Sequence, residues 1–232
     1  MTMRRIWKRT LVIVVIAGGV LAWLWAPGRS AADGGGEQQS APSDPLPTSG
    51  LSFPYILDSG LIVEEISSYS GVFYEDGTDE QVTDVAALLL FNPQQHMVRF
   101  GAVALEQNGQ QLYFFVYCLP PGGRCLILEK QRTPYQDAAV TECRALNIRW
   151  EPHDLQSERV RYVGFGEALT VVNHSAQRRN ITVWYKHYDY EKDYYIGGVA
   201  YSAYYFMLGA EEERTLMPSH YHAGTAKVVA VE

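Results

Sequence analysis

The chain has 232 residues, 47% of them hydrophobic, with 26 acidic against 19 basic side chains and a formal net charge of −7. That length suits one or two domains, and the composition suits a globular body, not a disordered or fibrous chain. An acidic balance disfavours nucleic acid and anionic polymers as partners, since both call for a basic footprint.

At the N-terminus Arg4, Arg5, Lys8 and Arg9 precede the uncharged run Leu11–Ala26, and no acid occurs before Asp33. Cations before an apolar segment hold that end on the cytoplasmic side and send the rest outward. The 16 apolar residues fall between a signal-peptide core of about 7–15 and a full span of roughly 20. Trp23 and Trp25 at the exit end suit an interfacial belt and a retained anchor. The small residues Ser30–Ala32 offer a cleavage site. The expectation is a cytoplasmic tip and transmembrane signal-anchor over residues 1–26 at the cell membrane, with the body extracytoplasmic. Secretion after cleavage near Ala32 is the alternative. Without residues 1–26 the chain carries 15 basic against 26 acidic residues, a net of −11. Residues 27–50, rich in Gly, Ser, Pro and Ala, read as a flexible, disordered linker with nothing to bury.

Beyond residue 50 no amphipathic helical pattern occurs. Short β-branched and aromatic runs recur between Gly, Asn, Pro and Asp punctuation. Strands are expected at Leu61–Tyr69, Val85–Asn92, Met97–Gln107, Gln111–Tyr117, Arg124–Lys130, Ala139–Ile148, Val160–Val172, Asn180–Tyr188, Gly198–Leu208, Glu213–Met217 and Ala226–Val231. The Asn-Gly of Gln107–Gln110 suits a two-residue hairpin turn. Many short strands at this spacing predict an all-β antiparallel fold.

The pattern repeats. Ala87–Gly109 parallels Ala168–Tyr190, each an apolar strand ending in Asn (Asn92, Asn173), a polar turn and an alternating strand. An aromatic strand, a turn and a short strand follow in both. From the Asn to the Leu closing the aromatic strand is 27 residues in one copy and 35 in the other, which predicts a longer hairpin inside Trp184–Phe206. The reading is two related β-sandwich units, residues 51–150 and 151–232. The segment "LTVVNHSAQRRNITVWYKHYD", through Asn173, Ser175, Ile181, Val183 and Tyr185, resembles the small immunoglobulin-like sandwich domains of the FxLYD type found in bacterial membrane-anchored exported proteins. The first unit has Asn92-Pro93 in place of Asn-x-Ser, and the second has "LGAEEE" where the family has a Pro-Gly turn. The resemblance implies fold and compartment; the family shares no chemistry to carry over.

Residues able to carry chemistry are few. Cys118 and Cys125 flank the turn "LPPGGR" and are candidates for a disulfide across a hairpin, with Cys143 left over; buried free thiols are the alternative. His220 and His222 share one strand face and, with His187 or His174, would offer imidazoles to a metal; no carboxylate or cysteine completes a shell, so no cofactor is expected. Asp76–Asp84 loosely resembles a calcium loop without its bidentate Glu. No nucleophile elbow occurs, and the acid pairs Glu64–Glu65 and Glu211–Glu213 read as solvated faces. That leaves the tyrosines. Trp184–Phe206 makes both faces of both its strands aromatic, so one face is core and the other packs on the first unit or stays exposed. Tyr188, Tyr190, Tyr194 and Tyr195, interleaved with acids and Lys192, are the candidate binding residues at the hairpin tip. The functional expectation is a non-catalytic binding or scaffold protein of the cell envelope that meets a protein partner there. A carbohydrate-binding module using Tyr188–Tyr195 on an open aromatic strip is the second reading, and an envelope hydrolase the third.

Overall fold

The strand-forming runs assemble into three sheets. The computed structural model describes residues 50–232, and every regular element among them is a β-strand. The expected anchor and linker lie outside the described residues, among which no helix is long and apolar enough to cross a membrane. In chain order the strands are β1 (Tyr55–Ile56), β2 (Ile62–Phe73), β3 (Glu80–Phe91), β4 (Met97–Gln107), β5 (Gln110–Leu119), β6 (Arg124–Leu128) and β7 (Val140–Glu151). They continue as β8 (Val160–Phe165), β9 (Ala168–Asn173), β10 (Arg179–Asp189), β11 (Tyr194–Leu208), β12 (Glu213–Leu216) and β13 (Ala226–Val231).

The pairings on either side of residues 152–159 are the same. β2 pairs β3 and β3 pairs β6, facing a sheet ordered β5-β4-β7; likewise β8 pairs β9 and β9 pairs β12, facing β11-β10-β13. In both halves one buried asparagine fixes the chain's return. The Asn92 side-chain amide donates to the carbonyls of His96 (2.9 Å), Leu119 (3.1 Å) and Pro120 (3.1 Å). Asn173 does the same to Gln177 (2.8 Å), Leu208 (3.0 Å) and Gly209 (3.0 Å). A buried amide donating to carbonyls of two segments satisfies groups that would otherwise be orphaned, which is why the residue at this strand end is Asn in both copies.

The halves do not stand apart. β6, the edge of the first half, pairs in parallel with β11 of the second through Cys125↔Tyr195 and Leu126↔Ile196. The result is a continuous seven-stranded sheet, β1-β2-β3-β6-β11-β10-β13. The cores follow suit. Ile181, Val183, Tyr185, Tyr205 and Leu208 fill the core of the second half, whereas Tyr188, Tyr195, Val229 and Ala230 belong to the core of the first. The second aromatic face of β10 therefore packs on the first half in the stretch holding Trp184, Lys186 and Tyr188.

One expected element differs. Val160–Val172 is a hairpin, β8–β9, and not a single strand, because Gly166 takes a left-handed φ of +54° and turns the chain.

Candidate functional site

The hairpin tip lies at the joint between the halves. Along it Tyr188 pairs with Tyr195 and His187 with Ile196, yet Tyr185 pairs with Tyr201. Between those points β11 has more residues than β10, and the excess containing Gly197–Gly198 bulges toward the first half. Tyr188 and Tyr195 are only 7% and 4% exposed. Their rings meet edge to face at 4.9 Å, and Tyr190 meets Tyr188 edge to face at 4.8 Å. Tyr188 donates its hydroxyl hydrogen to Asp193, and the Lys227 ammonium lies 4.2 Å over the Tyr188 ring. Tyr194 covers a small apolar cluster of Ala87, Leu126 and Leu128, and Tyr190 is the one ring of the four that is mostly exposed, at 55%. Together with the turn Pro120–Arg124, residues Tyr188, Asp193, Tyr195 and Lys227 line a concavity of about 150 Å³. Tyr188 and Tyr195 thus offer no open, flat strip; they hold the halves together.

Two buried ionisable groups, Lys186 and Glu75, lie nearby. Lys186 is completely buried, and its Nζ donates to the carbonyls of Val199 (2.7 Å), Gly198 (2.8 Å) and, in the first half, Tyr117 (3.1 Å). Glu75 Oε1 accepts the backbone N–H of Gly198 (2.7 Å) and of Leu128 (2.9 Å), so it bridges β11 and β6. Burial pushes the Glu75 carboxyl up to about 6, against the opposing pull of those two N–H groups and of Lys186. Gly198 is also where β11 comes hard against β5, since a Cβ on it would overlap the Phe115 carbonyl oxygen. The Gly-Gly of the sequence is the site of close backbone approach.

The histidines are divided. His187 packs against Tyr74 at 4.1 Å with the rings tilted by 35° and meets Tyr201 edge-on, while His220 lies flat on Tyr201 at 4.4 Å with its Nδ1 3.0 Å from Asp79 Oδ2. His174 pairs with Glu211 (2.9 Å), and His222 is exposed. Among the described residues no three His, Cys, Asp or Glu converge to hold a metal. His187 Nε2 is buried without a partner, and burial pulls the imidazole down to about 4.

Glu75 and His187 tilt stability in opposite directions. Glu75 has a raised folded value, so its contribution is full below about 4.5 and is lost as pH rises through about 6. His187 has a lowered folded value, so stability drops as pH falls from about 6.5 toward 4. Between pH 4.5 and 6 the two slopes nearly cancel. Relative to the native chain, His187→Gln is expected to be more stable at pH 4.5 than at pH 6 by about 2 kcal/mol, and Glu75→Gln the reverse. Urea melts of each variant at both pH values measure this; slopes of the same sign would contradict it.

The Cys118–Cys125 bridge expected from the sequence is not formed: all three cysteines are free and buried. The reason is that β5 and β6 fall in different sheets. Cys125 Sγ donates to the Gly197 carbonyl at 3.2 Å, whereas Cys118 Sγ accepts from the Arg99 guanidinium at 3.5 Å. Burial raises the Cys125 thiol to about 11 and Cys143 to about 12, which keeps both unreactive. Reductant is therefore expected to leave Tm unchanged, and mass spectrometry after alkylation in denaturant should count three thiols; a lower Tm in reductant would sink this. In the Asp76–Asp84 segment, Asp76 accepts from Thr78 and pairs with Arg132, and Asp84 accepts from Ser68, so these oxygens have partners already.

The sequence reading missed an exposed apolar face. On β8, Val163 (52% exposed) and Phe165 (86%) point outward, and Met217, just past β12, is 76% exposed. Phe165 pairs with Ala168, and carrying the β9–β12 register one step further places Met217 on the other side of Ala168. Two large apolar side chains thus flank a small one. The alternation Arg161, Val163, Phe165 is the available signal, and Gly166 is what divides it from the strand that follows. Comparison with family models, with curated proteins and with solved structures found no match for this chain.

Proposed function

We propose that the chain is a membrane-anchored, extracytoplasmic, non-catalytic binding or scaffold protein of the cell envelope, built from two immunoglobulin-like units of the FxLYD type, and that an apolar protein surface docks on the second half. The observation that carries this reading is the row Phe165–Ala168–Met217. Its counterparts in the first half, Ala87 and Leu128, are fully buried under Phe73 and Tyr194. The same face of the second half lacks that cover, and clustered large apolar side chains in water are the usual mark of an interaction surface. The acidic balance of the chain as a whole disfavours adhesion to anionic polymers. The continuous sheet behind it supplies a rigid support, as a scaffold requires.

Phe165→Ser combined with Met217→Ser changes exposed side chains, so folding stability is expected to hold within about 0.5 kcal/mol. In living cells the double variant should lose the crosslinked adducts that the native chain forms. Unchanged adducts at unchanged Tm would refute the docking face. Protease access to the body from outside intact cells tests the topology separately.

A further inference from the structure

The geometry points to an oxyanion site in the second half, specific for phosphate groups, formed by Arg159, Arg178 and Arg179. These three guanidinium-bearing residues, with Ser175, Ala176 and Gln177, line a concavity of about 360 Å³. Their clustering runs against the character of the molecule, since the chain beyond residue 26 has 15 basic against 26 acidic residues. Among the described residues neither Arg159 nor Arg178 has a carboxylate within ion-pair distance; all ten ion pairs involve other cations. Of the nearby acids, Glu212 pairs with Arg214 and accepts the Gly209 N–H while also lying within reach of the Arg178 charge, and Glu211 pairs with His174.

The walls of the concavity are fixed by hydrogen bonds. His174 N–H donates to the Arg159 carbonyl (2.8 Å), which ties the loop before β8 to the turn between β9 and β10. Arg179 Nη2 donates to Gln156 Oε1 (2.7 Å), and Gln156 Nε2 donates in turn to the Val231 carbonyl (2.9 Å). Arg179 is therefore oriented before any ligand arrives, and a preoriented donor gives up less freedom on binding.

The fold itself does not call for these arginines. The first half builds the same turn on Asn92 with the same three amide-to-carbonyl bonds, and its turn residues are Pro93, Gln94, Gln95 and His96. Counted from the asparagine, the places of Arg178 and Arg179 hold Met97 and Val98 in the first half, so the turn forms without the arginines. One guanidinium fork satisfies a carboxylate; three cations around one hollow suit a tetrahedral phosphate that carries up to two charges. The phosphate comes either free or as an ester, as in a lipid headgroup or an envelope polymer.

Calorimetric titration of the purified full-length chain at low ionic strength, with inorganic phosphate, glycerol phosphate and acetate, tests the assignment. Saturable binding of either phosphate probe is expected, weakened at least about tenfold in Arg159→Gln/Arg178→Gln. Arg149→Gln, an exposed arginine elsewhere, should bind like the native chain. Tighter binding of glycerol phosphate identifies an ester as the ligand, and tighter inorganic phosphate identifies the free anion. No saturable binding of either probe up to about 10 mM, equal weakening by Arg149→Gln, or acetate binding as tightly as phosphate overturns the proposal.

Discussion

Lys186→Met is expected to destabilise the protein by about 3–5 kcal/mol, the usual cost of removing a buried, hydrogen-bonded charge and leaving its electrostatic partner buried. The shape of the side chain is nearly conserved, so the loss is electrostatic and not a cavity. Three carbonyls, those of Tyr117, Gly198 and Val199, lose their donor at once. Glu75, buried beside them, loses the cation that offsets its desolvation, and its carboxyl rises further above 6. A double-mutant cycle separates the contributions. Glu75→Gln keeps an acceptor oxygen for Leu128 and Gly198 while removing the charge. In its presence Lys186→Met should cost at least about 1 kcal/mol less or more than alone, because the two groups are coupled. Additive losses in denaturant melts would show that the pair does not act as a unit.

Gly198→Ala should be comparably damaging for a steric reason. The added methyl would overlap the Phe115 carbonyl oxygen and lie 2.8 Å from its carbonyl carbon, both backbone atoms that cannot swing away. Relief requires β11 to draw back from β5. That movement stretches the Gly198 bonds to Glu75 and Lys186 together. A loss of about 3 kcal/mol or more is expected, in the range of severe core overpacking. Gly224→Ala, whose methyl meets only the His222 ring at 3.3 Å, should lie within about 1 kcal/mol of the native chain. Equal Tm for the two alanine variants would show that the close approach at Gly198 is not a structural constraint.

Fold class and repeat were legible because both are written locally. Strand-forming runs, the Asn-Gly turn and the paired Asn92 and Asn173 each act over a few residues, and the eight-residue surplus of the second copy correctly marked a longer hairpin. The joint was not legible, because its partners are remote in the chain. Glu75 belongs to a turn and Gly198 to an aromatic strand 123 residues later. Nothing in either neighbourhood announces the other. Two signals were present all the same. Adjacent glycines inside an aromatic strand mark a bulge or a close approach, and a lysine in the middle of an otherwise apolar and aromatic strand calls for buried acceptors. The tyrosines misled for a related reason. Tyrosine suits an interface, and Tyr188 and Tyr195 do line one, but it lies between the halves of a single chain.

The parallel pairing of β6 with β11 also governs how the molecule reaches its folded state. Cys125 and Leu126 must wait for Tyr195 and Ile196, most of a sandwich further along the chain. Pairings of such high sequence separation form slowly, because loop closure precedes any reward. Until they form, the first half keeps an open strand edge and lacks Tyr188 and Tyr195 from its core. A fragment ending between β7 and β8 would be left permanently in that condition, prone to stick to its own kind through the bare edge. The repeat looks divisible on paper, but residues 50–232 form one body whose last strands finish its first.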